Sequence, residues 1–260
     1  MVVGRYFQGN SLIHRLDPRA KLVTGFGFIL VLMLTTNWLT YLILGLFTAV
    51  MMKLSGVPLK IFRKGVRPLL VIIVFTSLLQ FFFSGGGVVF FRLGPIRISQ
   101  GGMIQAINVF LRFTLTIFMS ITVSITTRPI EFTDAVESLL SPLRILKVPV
   151  QDIALMLLIA LRFIPTLFDE SQRIMKAQQS RGVEFGEGNI YQQMKSLIPV
   201  FLPLFVSSFY RAEELANALD VRGYQGDKKR TKLRIRKWQL RDTCYMMSFV
   251  LLSLLVIGIR

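Results

Sequence analysis

The segment from Lys21 to Pro129 contains no acidic residue, although the chain has 14 Asp and Glu among its 260 residues. All but two of those acids lie between Glu131 and Asp227. Apolar runs fill most of the acid-free segment, and 53% of the chain is hydrophobic, whereas soluble domains average about 45 to 50%. Ionised side chains are costly inside a bilayer, so this pattern is typical of membrane-spanning helices. The chain therefore divides into an apolar N-terminal zone and an acid-containing middle zone.

Five apolar runs are candidates for membrane-spanning helices. They are Leu22–Leu34, Leu39–Met52, Leu69–Phe83, Met103–Ile125 and Thr243–Ile259. The first two are shorter than the ~20 residues that cross a bilayer, so we predict a tight helical hairpin in which flanking residues complete each span. The predicted fold class is an all-α integral membrane protein with about five transmembrane helices. We expect the first run to remain as a membrane anchor, because no small-residue cleavage site follows it.

The basic residues of short loops predict the orientation of the chain. Five of them join the second and third runs, whereas the tip of the first hairpin has none; the five are Lys53, Lys60, Arg63, Lys64 and Arg67. Basic loops favour the cytoplasmic side, so this loop and the N-terminus are predicted to be cytoplasmic and the loop 84–100 external. The predicted organisation is a membrane domain at 1–128, cytoplasmic helices at 129–240 and a last span at 241–260, in the plasma membrane.

Two long helices are predicted in the middle zone, Val150–Arg181 and Ile190–Arg222. Each has an apolar first half and a charged second half, so we expect each to leave the membrane surface and project into the cytosol. Pro165, Pro199 and Pro203 lack an amide donor and predict kinks that would help the helices to cross.

The two long helices end in the same pattern, Ala-x-x-x-Arg-Gly, 41 residues apart. Glycine after the last helical residue and a cation in the last turn suit any helix C-terminus, so ordinary capping alone explains one such end. The repetition at two long helices favours docking, since the planar guanidinium donates several hydrogen bonds to carboxylates or carbonyls of a partner. The candidate docking residues are Ala177, Ser180, Arg181, Gly182, Ala218, Val221, Arg222 and Gly223.

Arg112 is the one charge inside a predicted span, and two interpretations remain open for it. In the first, a cation deep in a membrane indicates function. Asn108, Thr114 and Thr116 would then form a polar helix face with Arg112, directed toward partner helices. Alternatively, Arg112 snorkels or pairs with helix carbonyls. An arginine in a groove also motivates the main rival function, a membrane-protein insertase, which explains neither the paired tips nor the long middle helices.

Catalytic and metal-binding patterns are lacking in the sequence. No Gly-x-x-x-x-Gly-Lys-Ser/Thr phosphate loop, which would bind ATP, occurs in the sequence. We therefore predict that the chain is not an enzyme and binds no cofactor itself. Cys244 is the only cysteine and His14 the only histidine, which leaves no set of metal ligands. The spans lack acids, which disfavours a proton- or sodium-coupled carrier. The net charge of +17 includes a basic stretch, Lys228 to Arg241, predicted to bind anionic lipid; no nucleic-acid partner is needed.

Several motifs together resemble the transmembrane T component of energy-coupling factor transporters, over nearly the whole chain. They are Ser11-Leu-Ile-His14-Arg-Leu-Asp17-Pro18-Arg19-Ala-Lys21, Thr126-Thr-Arg128-Pro129, Ala160-Leu-Arg162-Phe-Ile-Pro165-Thr and the two Arg-Gly tips. The family's tips often have alanine before the arginine, where this chain has Ser180 and Val221.

That resemblance implies a scaffold that couples ATP hydrolysis to import. It implies that Arg181 and Arg222 each enter a groove of one of two ATPase subunits, predicted to form a heterodimer that binds ATP and Mg. It also implies a separate small membrane subunit that binds a vitamin or a transition-metal ion. The apolar halves of the long helices are the candidate surface for that subunit, at Leu157, Leu161, Ile164, Phe168, Phe201, Phe205 and Phe209.

Overall fold

The structure, a computed structural model, describes residues 7, 9–93, 96–146, 149–224 and 238–259. In chain order the elements are α1 (Leu12–Arg15), α2 (Pro18–Leu34), α3 (Trp38–Ser55), α4 (Leu59–Phe83), β1 (Val89–Leu93), β2 (Ile96–Ser99), α5 (Gln100–Thr126), α6 (Pro129–Leu140), a 3-10 helix (Ser141–Leu146), α7 (Val150–Ser180), α8 (Ile190–Val221) and α9 (Leu240–Gly258). The predicted all-α membrane fold is confirmed, with one small β-hairpin added. The described residues form two compact units, 7–139 with 238–259 and 140–224.

The first unit, which we call the membrane unit, has a core made by four helices. Phe28 of α2, Leu44 of α3, Met119 of α5 and Phe249 of α9 belong to one buried cluster. Helix α2 approaches α9 closely at Gly27, where an added Cβ would lie 2.8 Å from the ring of Phe249. Elements from both ends of the chain therefore contribute to this cluster.

Helix α2 begins where its sequence provides caps. The side chain of Asp17 accepts a hydrogen bond from the backbone N–H of Arg19, and Pro18 occupies the first turn, where its missing donor costs nothing. The backbone N–H of Asp17 in turn donates to Oδ1 of Asp242 at 2.7 Å. Asp242 thus joins the start of α2 to the start of α9.

Helix α4 corrects one sequence prediction. The third run was expected to begin after Pro68, with Lys60 to Arg67 in a loop, whereas α4 is continuous from Leu59 to Phe83 with Pro68 inside it. Phe62, Val66 and Ile73 are buried on one side of α4. Packing along this whole length offsets the hydrogen bond that proline removes, because tertiary contacts override local propensity.

The loop 84–100 contains the β-hairpin that the sequence interpretation missed. Strands β1 and β2 pair antiparallel, with Val89 opposite Ser99 and Leu93 opposite Ile96. The side chain of Ser99 accepts a hydrogen bond from the N–H of Gly102 and so caps α5. The hairpin therefore leads directly into the first turn of α5.

Five helices of the described residues are long and apolar enough to cross a membrane, namely α3, α4, α5, α7 and α9. The number matches the prediction, but the set differs. The predicted first span corresponds to α2, which has 17 residues, near the lower end of the lengths that cross a bilayer. Helix α7, predicted to be cytoplasmic, belongs to the five because its first half is apolar.

The second unit, which we call the coupling unit, consists mainly of α7 and α8, whose bounds agree with the predicted helices to within one residue. Both helices run without a break through their prolines, Pro165 in α7 and Pro199 and Pro203 in α8. Asn189 and Gln192 form a capping box at the start of α8, which fixes that end locally.

Candidate functional site

The tip of α7 is a Schellman cap. The N–H of Gly182 donates to the carbonyl of Gln179 and the N–H of Val183 donates to the carbonyl of Gln178, both at 3.0 Å. These two bonds define the motif and require a left-handed residue between them. Gly182 supplies it with φ 85°. Arg181 is the last residue before that reversal, with φ −92° and ψ 6°.

The tip of α8 repeats the same geometry. The N–H of Gly223 donates to the carbonyl of Asp220 at 2.9 Å, and the N–H of Tyr224 donates to the carbonyl of Leu219 at 3.0 Å. Gly223 has φ 70°, and Arg222 has φ −80° and ψ 5°. The two arginines therefore occupy equivalent positions in two equivalent caps.

Both tips are open to their surroundings. A Cβ added to Gly182 or Gly223 would meet nothing within 4 Å. Glycine is therefore needed at these positions for its positive φ and not to allow close packing. Arg181 and Arg222 are exposed, and within the described residues neither guanidinium has a hydrogen bond or ion pair. An exposed arginine with all its donors free is suited to binding carboxylates or carbonyls of another protein.

The residues that flank the arginines are exposed as well. Ala177 and Ala218 lie at the surface one turn before the tips. Val221 is 88% exposed, an unusual surrounding for a valine at the end of a helix. Ser180 is also exposed, and its hydroxyl donates to the carbonyl of Lys176 at 3.1 Å. These four side chains are thus exposed beside the arginines.

Helices α7 and α8 pack antiparallel, with residues 152–170 of α7 against the second half of α8. Glu170 of α7 accepts hydrogen bonds from Ser207 and Arg211 of α8. Nearer the start of α7, Asp152 accepts a hydrogen bond from the hydroxyl of Tyr224 at 3.2 Å. Positions nearer the start of α7 therefore contact positions nearer the end of α8.

This packing separates the two tips. Arg222 lies next to Tyr224 and hence near Asp152 at the start of α7, whereas Arg181 ends the same helix. At ~1.5 Å per residue the intervening part of α7 is about 40 Å long. The sequence predicted that the two helices cross, but it did not predict this distance between their tips. The two tips therefore lie at opposite ends of the α7–α8 pair.

The charged contacts between α7 and α8 were missed by sequence reasoning. Glu170 and Arg211 form an ion pair whose side chains are 22% and 33% exposed, respectively. Ser207 and Arg211 lie one turn apart and reach the two oxygens of the same carboxylate. The spacing of Ser207 and Arg211 was available in the sequence, but the choice of Glu170 among several acids depends on the helix register.

The predicted subunit-binding residues lie on exposed helix surfaces. Ile164 and Phe168 of α7 are exposed, as are Phe201, Phe205 and Phe209 of α8. Leu157 and Leu161 are partly buried. The four α7 residues recur at i, i+4, i+7 and i+11 and so share one face, opposite the face that carries Ile159, Phe163 and Glu170 toward α8.

Arg112 is held by the turn between α2 and α3. One terminal nitrogen, Nη2, donates to the carbonyl of Thr35 and to the hydroxyl of Tyr41, each at 3.3 Å. Thr35 is the C-cap of α2, where the negative end of the helix dipole favours a cation. This is the pairing with helix carbonyls that one of the two interpretations expected. A contact of Arg112 with a partner helix stays a prediction.

The remaining sequence candidates fall in two places. His14 makes local hydrogen bonds with the hydroxyl of Ser11 at 2.6 Å and the carbonyl of Phe7 at 2.9 Å. The predicted lipid-binding stretch, Lys228 to Arg241, lies outside the described residues except for its last four positions. Among the described residues, no group of three or more His, Cys, Asp and Glu is arranged to hold a metal ion.

Comparison with known proteins covers the whole chain. The family model described as "CbiQ: Cobalt transport protein" matches residues 9–233. A Listeria monocytogenes protein named energy-coupling factor transporter transmembrane protein EcfT 1 is 49% identical over 253 residues, which are 97% of this chain and 95% of the relative. EcfT proteins of Lacticaseibacillus paracasei and Bacillus subtilis are 48% and 45% identical over 260 residues, covering 100% of this chain and 98% of each relative.

These matches settle the choice between the resemblance and its rival. The matched regions span both Arg-Gly tips and all the helices described above, and the relatives are named as transporter components, not as insertases. The fold agrees with a multi-pass membrane protein. The chain therefore belongs to the CbiQ family as an EcfT-type transmembrane component of energy-coupling factor transporters.

Proposed function

We propose that this chain transmits the motion of two ATPase subunits to a separate small membrane subunit that binds a vitamin or a metal ion. ATP and Mg are bound by the ATPases, and the chain itself is not catalytic. The observation that carries the proposal is the pair of equivalent caps, each with an exposed arginine that has no hydrogen bond or ion pair to any residue the structure describes. Their separation of about 40 Å along α7 suits two grooves on two subunits better than two contacts on one.

The α7–α8 packing gives this proposal a physical route for motion. Glu170 and Arg211 tie the two helices together between the tips, so a displacement of one tip is passed to the other helix through that contact. The exposed face of α7 with Ile164 and Phe168 then offers an apolar surface to the substrate-binding subunit. In this arrangement the coupling unit is cytoplasmic, and its apolar faces contact the small membrane subunit that binds the substrate.

Charge reversal at the tips tests the docking claim. Arg181→Glu should release one ATPase subunit and Arg222→Glu the other when the chain is purified from membranes that contain both, because each groove would then face a like charge. The double variant should release both. The control is Arg173→Glu with Lys195→Glu, which reverses two exposed cations away from the tips and should retain both subunits. Full co-purification of the double tip variant would contradict the proposal.

Labelling tests the predicted orientation independently. In a Cys244→Ser background, Gly94→Cys should react with an impermeant maleimide added to intact cells, and Glu187→Cys should react only after the cells are opened. Cys244 is the only native cysteine, so its removal leaves one thiol in each variant. The reverse labelling pattern would place the coupling unit outside and overturn the assignment.

A further inference from the structure

Four cations form one stripe on the first two turns of α4. Lys60, Arg63, Lys64 and Arg67 occupy positions i, i+3, i+4 and i+7, which lie on the same face of a helix. All four are exposed. No hydrogen bond or ion pair joins their side chains to any other described residue.

The opposite face of α4 fixes the direction in which this stripe points. Phe62 and Val66, which alternate with the cations, are 1% and 7% exposed. Gly65 lies against α5, where an added Cβ would be 2.6 Å from Cδ1 of Ile121. Because this face is packed without spare room, the first turns of α4 cannot rotate to turn the cations inward.

The same helix face becomes apolar immediately after the stripe. Val71, Val74, Phe75 and Leu78 continue the periodic positions i+11, i+14, i+15 and i+18, and all four are exposed. Val71 is 75% exposed, and α4 as a whole is long and apolar enough to cross a membrane. One continuous surface therefore changes from cationic to apolar near Pro68.

We infer that this surface binds an anionic phospholipid, with the headgroup phosphate over Lys60, Arg63, Lys64 and Arg67 and the acyl chains along the apolar continuation. The segment from Lys21 to Pro129 has no acid that could neutralise the stripe from within. An acidic protein surface would match the cations but not the apolar residues on the same face, whereas a phospholipid matches both. The inference does not depend on the docking of Arg181 or Arg222.

Removal of two stripe cations tests the site without altering the helix. The full chain is purified in a neutral detergent and titrated with phosphatidylglycerol, using phosphatidylcholine as the neutral reference, and bound lipid is counted by native mass spectrometry. At about fivefold per cation, Arg63→Gln with Arg67→Gln should weaken phosphatidylglycerol binding about 25-fold. Lys53, Lys60 and Lys64 remain in the variant and keep its orientation.

Matched controls separate the stripe from general charge. Arg173→Gln with Lys176→Gln removes two exposed cations from α7 and should leave phosphatidylglycerol binding unchanged. Arg63→Lys with Arg67→Lys keeps the charges and should retain binding. Water-soluble glycerol phosphate should displace the lipid only weakly, because it lacks the acyl chains.

Three results would overturn the inference. The first is equal weakening by the stripe and α7 double variants, which would indicate a general effect of net charge. The second is displacement by glycerol phosphate at the concentration at which the lipid binds, which would indicate a site for a free phosphate. The third is unchanged lipid binding together with loss of a co-purifying acidic protein, which would assign the stripe to that protein.

Discussion

The two units differ in where their polar side chains find partners. In the membrane unit, two buried charged side chains bond across large sequence separations: Asp242 accepts from the N–H of Asp17, and Nζ of Lys21 donates to the carbonyl of Thr126. In the coupling unit, Val150 and Val200 are the only described residues that are buried, and neither tip arginine has a partner within the described part of the chain. The membrane unit is stabilised mainly by its own contacts, whereas the coupling unit exposes the arginines for which we propose binding to other proteins.

The two tryptophans allow the units to be followed separately. Trp38 begins α3 and Trp238 precedes α9, where its Nε1 donates to Oγ1 of Thr243. The chain has no other tryptophan. Tryptophan fluorescence therefore reports unfolding of the membrane unit, and hydrogen exchange in α7 and α8 reports the coupling unit.

The largest predicted effect comes from Asp242, which is 3% exposed. Its two oxygens accept from the backbone N–H groups of Asp17 and Gln239. Asp242→Ala leaves both donors without an acceptor and should lower the free energy of unfolding by about 3 kcal/mol. The measurement is thermal unfolding of the detergent-solubilised chain by tryptophan fluorescence. Asp169→Ala, at an exposed aspartate of α7, is the control; equal effects of the two substitutions would contradict the comparison.

A smaller effect is predicted for the ion pair between Glu170 and Arg211. Because both side chains are partly exposed, solvent screens the pair, and a double-mutant cycle with Glu170→Gln and Arg211→Gln should give a coupling energy of about 1 kcal/mol. The cycle is measured as faster hydrogen exchange in α7 and α8. The tryptophan transition should not move. A shift of that transition as large as the one caused by Asp242→Ala would show that the units are not separable.

The smallest effect is predicted for the pH dependence of the membrane unit. Burial lowers the pKa of His14 below its ordinary value of 6.5, and the charge of Lys21 lowers it further, against opposing contributions from Phe7 and Glu131. The unfolded chain therefore takes up a proton at His14 more readily, so stability is retained above pH 6.5 and falls as the pH drops below it. In the variant His14→Gln, the free energy of unfolding should depend less on pH below 6.5. A wild-type stability that rises as the pH falls below 6.5, and does so less in His14→Gln, would contradict the lowered pKa of His14.

Much of the coupling unit could be predicted because its signals are local. The bounds of α7 and α8 follow from Pro149, Asn189 and the two tip glycines, each of which acts within one turn of its own position. The same holds for the tips themselves, since a Schellman cap needs a glycine and little else. The pairing of Glu170 with Arg211 was not predictable, because it depends on the register of two helices.

The membrane unit was less predictable for the opposite reason. Pro68 is a local signal for a helix start, yet α4 begins at Leu59 because its packing face extends back to Phe62. Asp242 looks like an ordinary first-turn acid, and nothing near it in the sequence indicates that it also binds the N–H of Asp17, the N-cap residue of α2. Long-range contacts of this kind decide the unit's stability and leave no pattern in a single sequence.

Hydrogen exchange of the chain alone and in complex with the two ATPase subunits tests the central claim most directly. The account predicts that the complex slows exchange at residues 177–183 and 218–224 together, while the helices of the membrane unit exchange at the same rate in both samples. Protection of only one tip, or of neither while the ATPases remain bound, would contradict docking through two equivalent arginine caps.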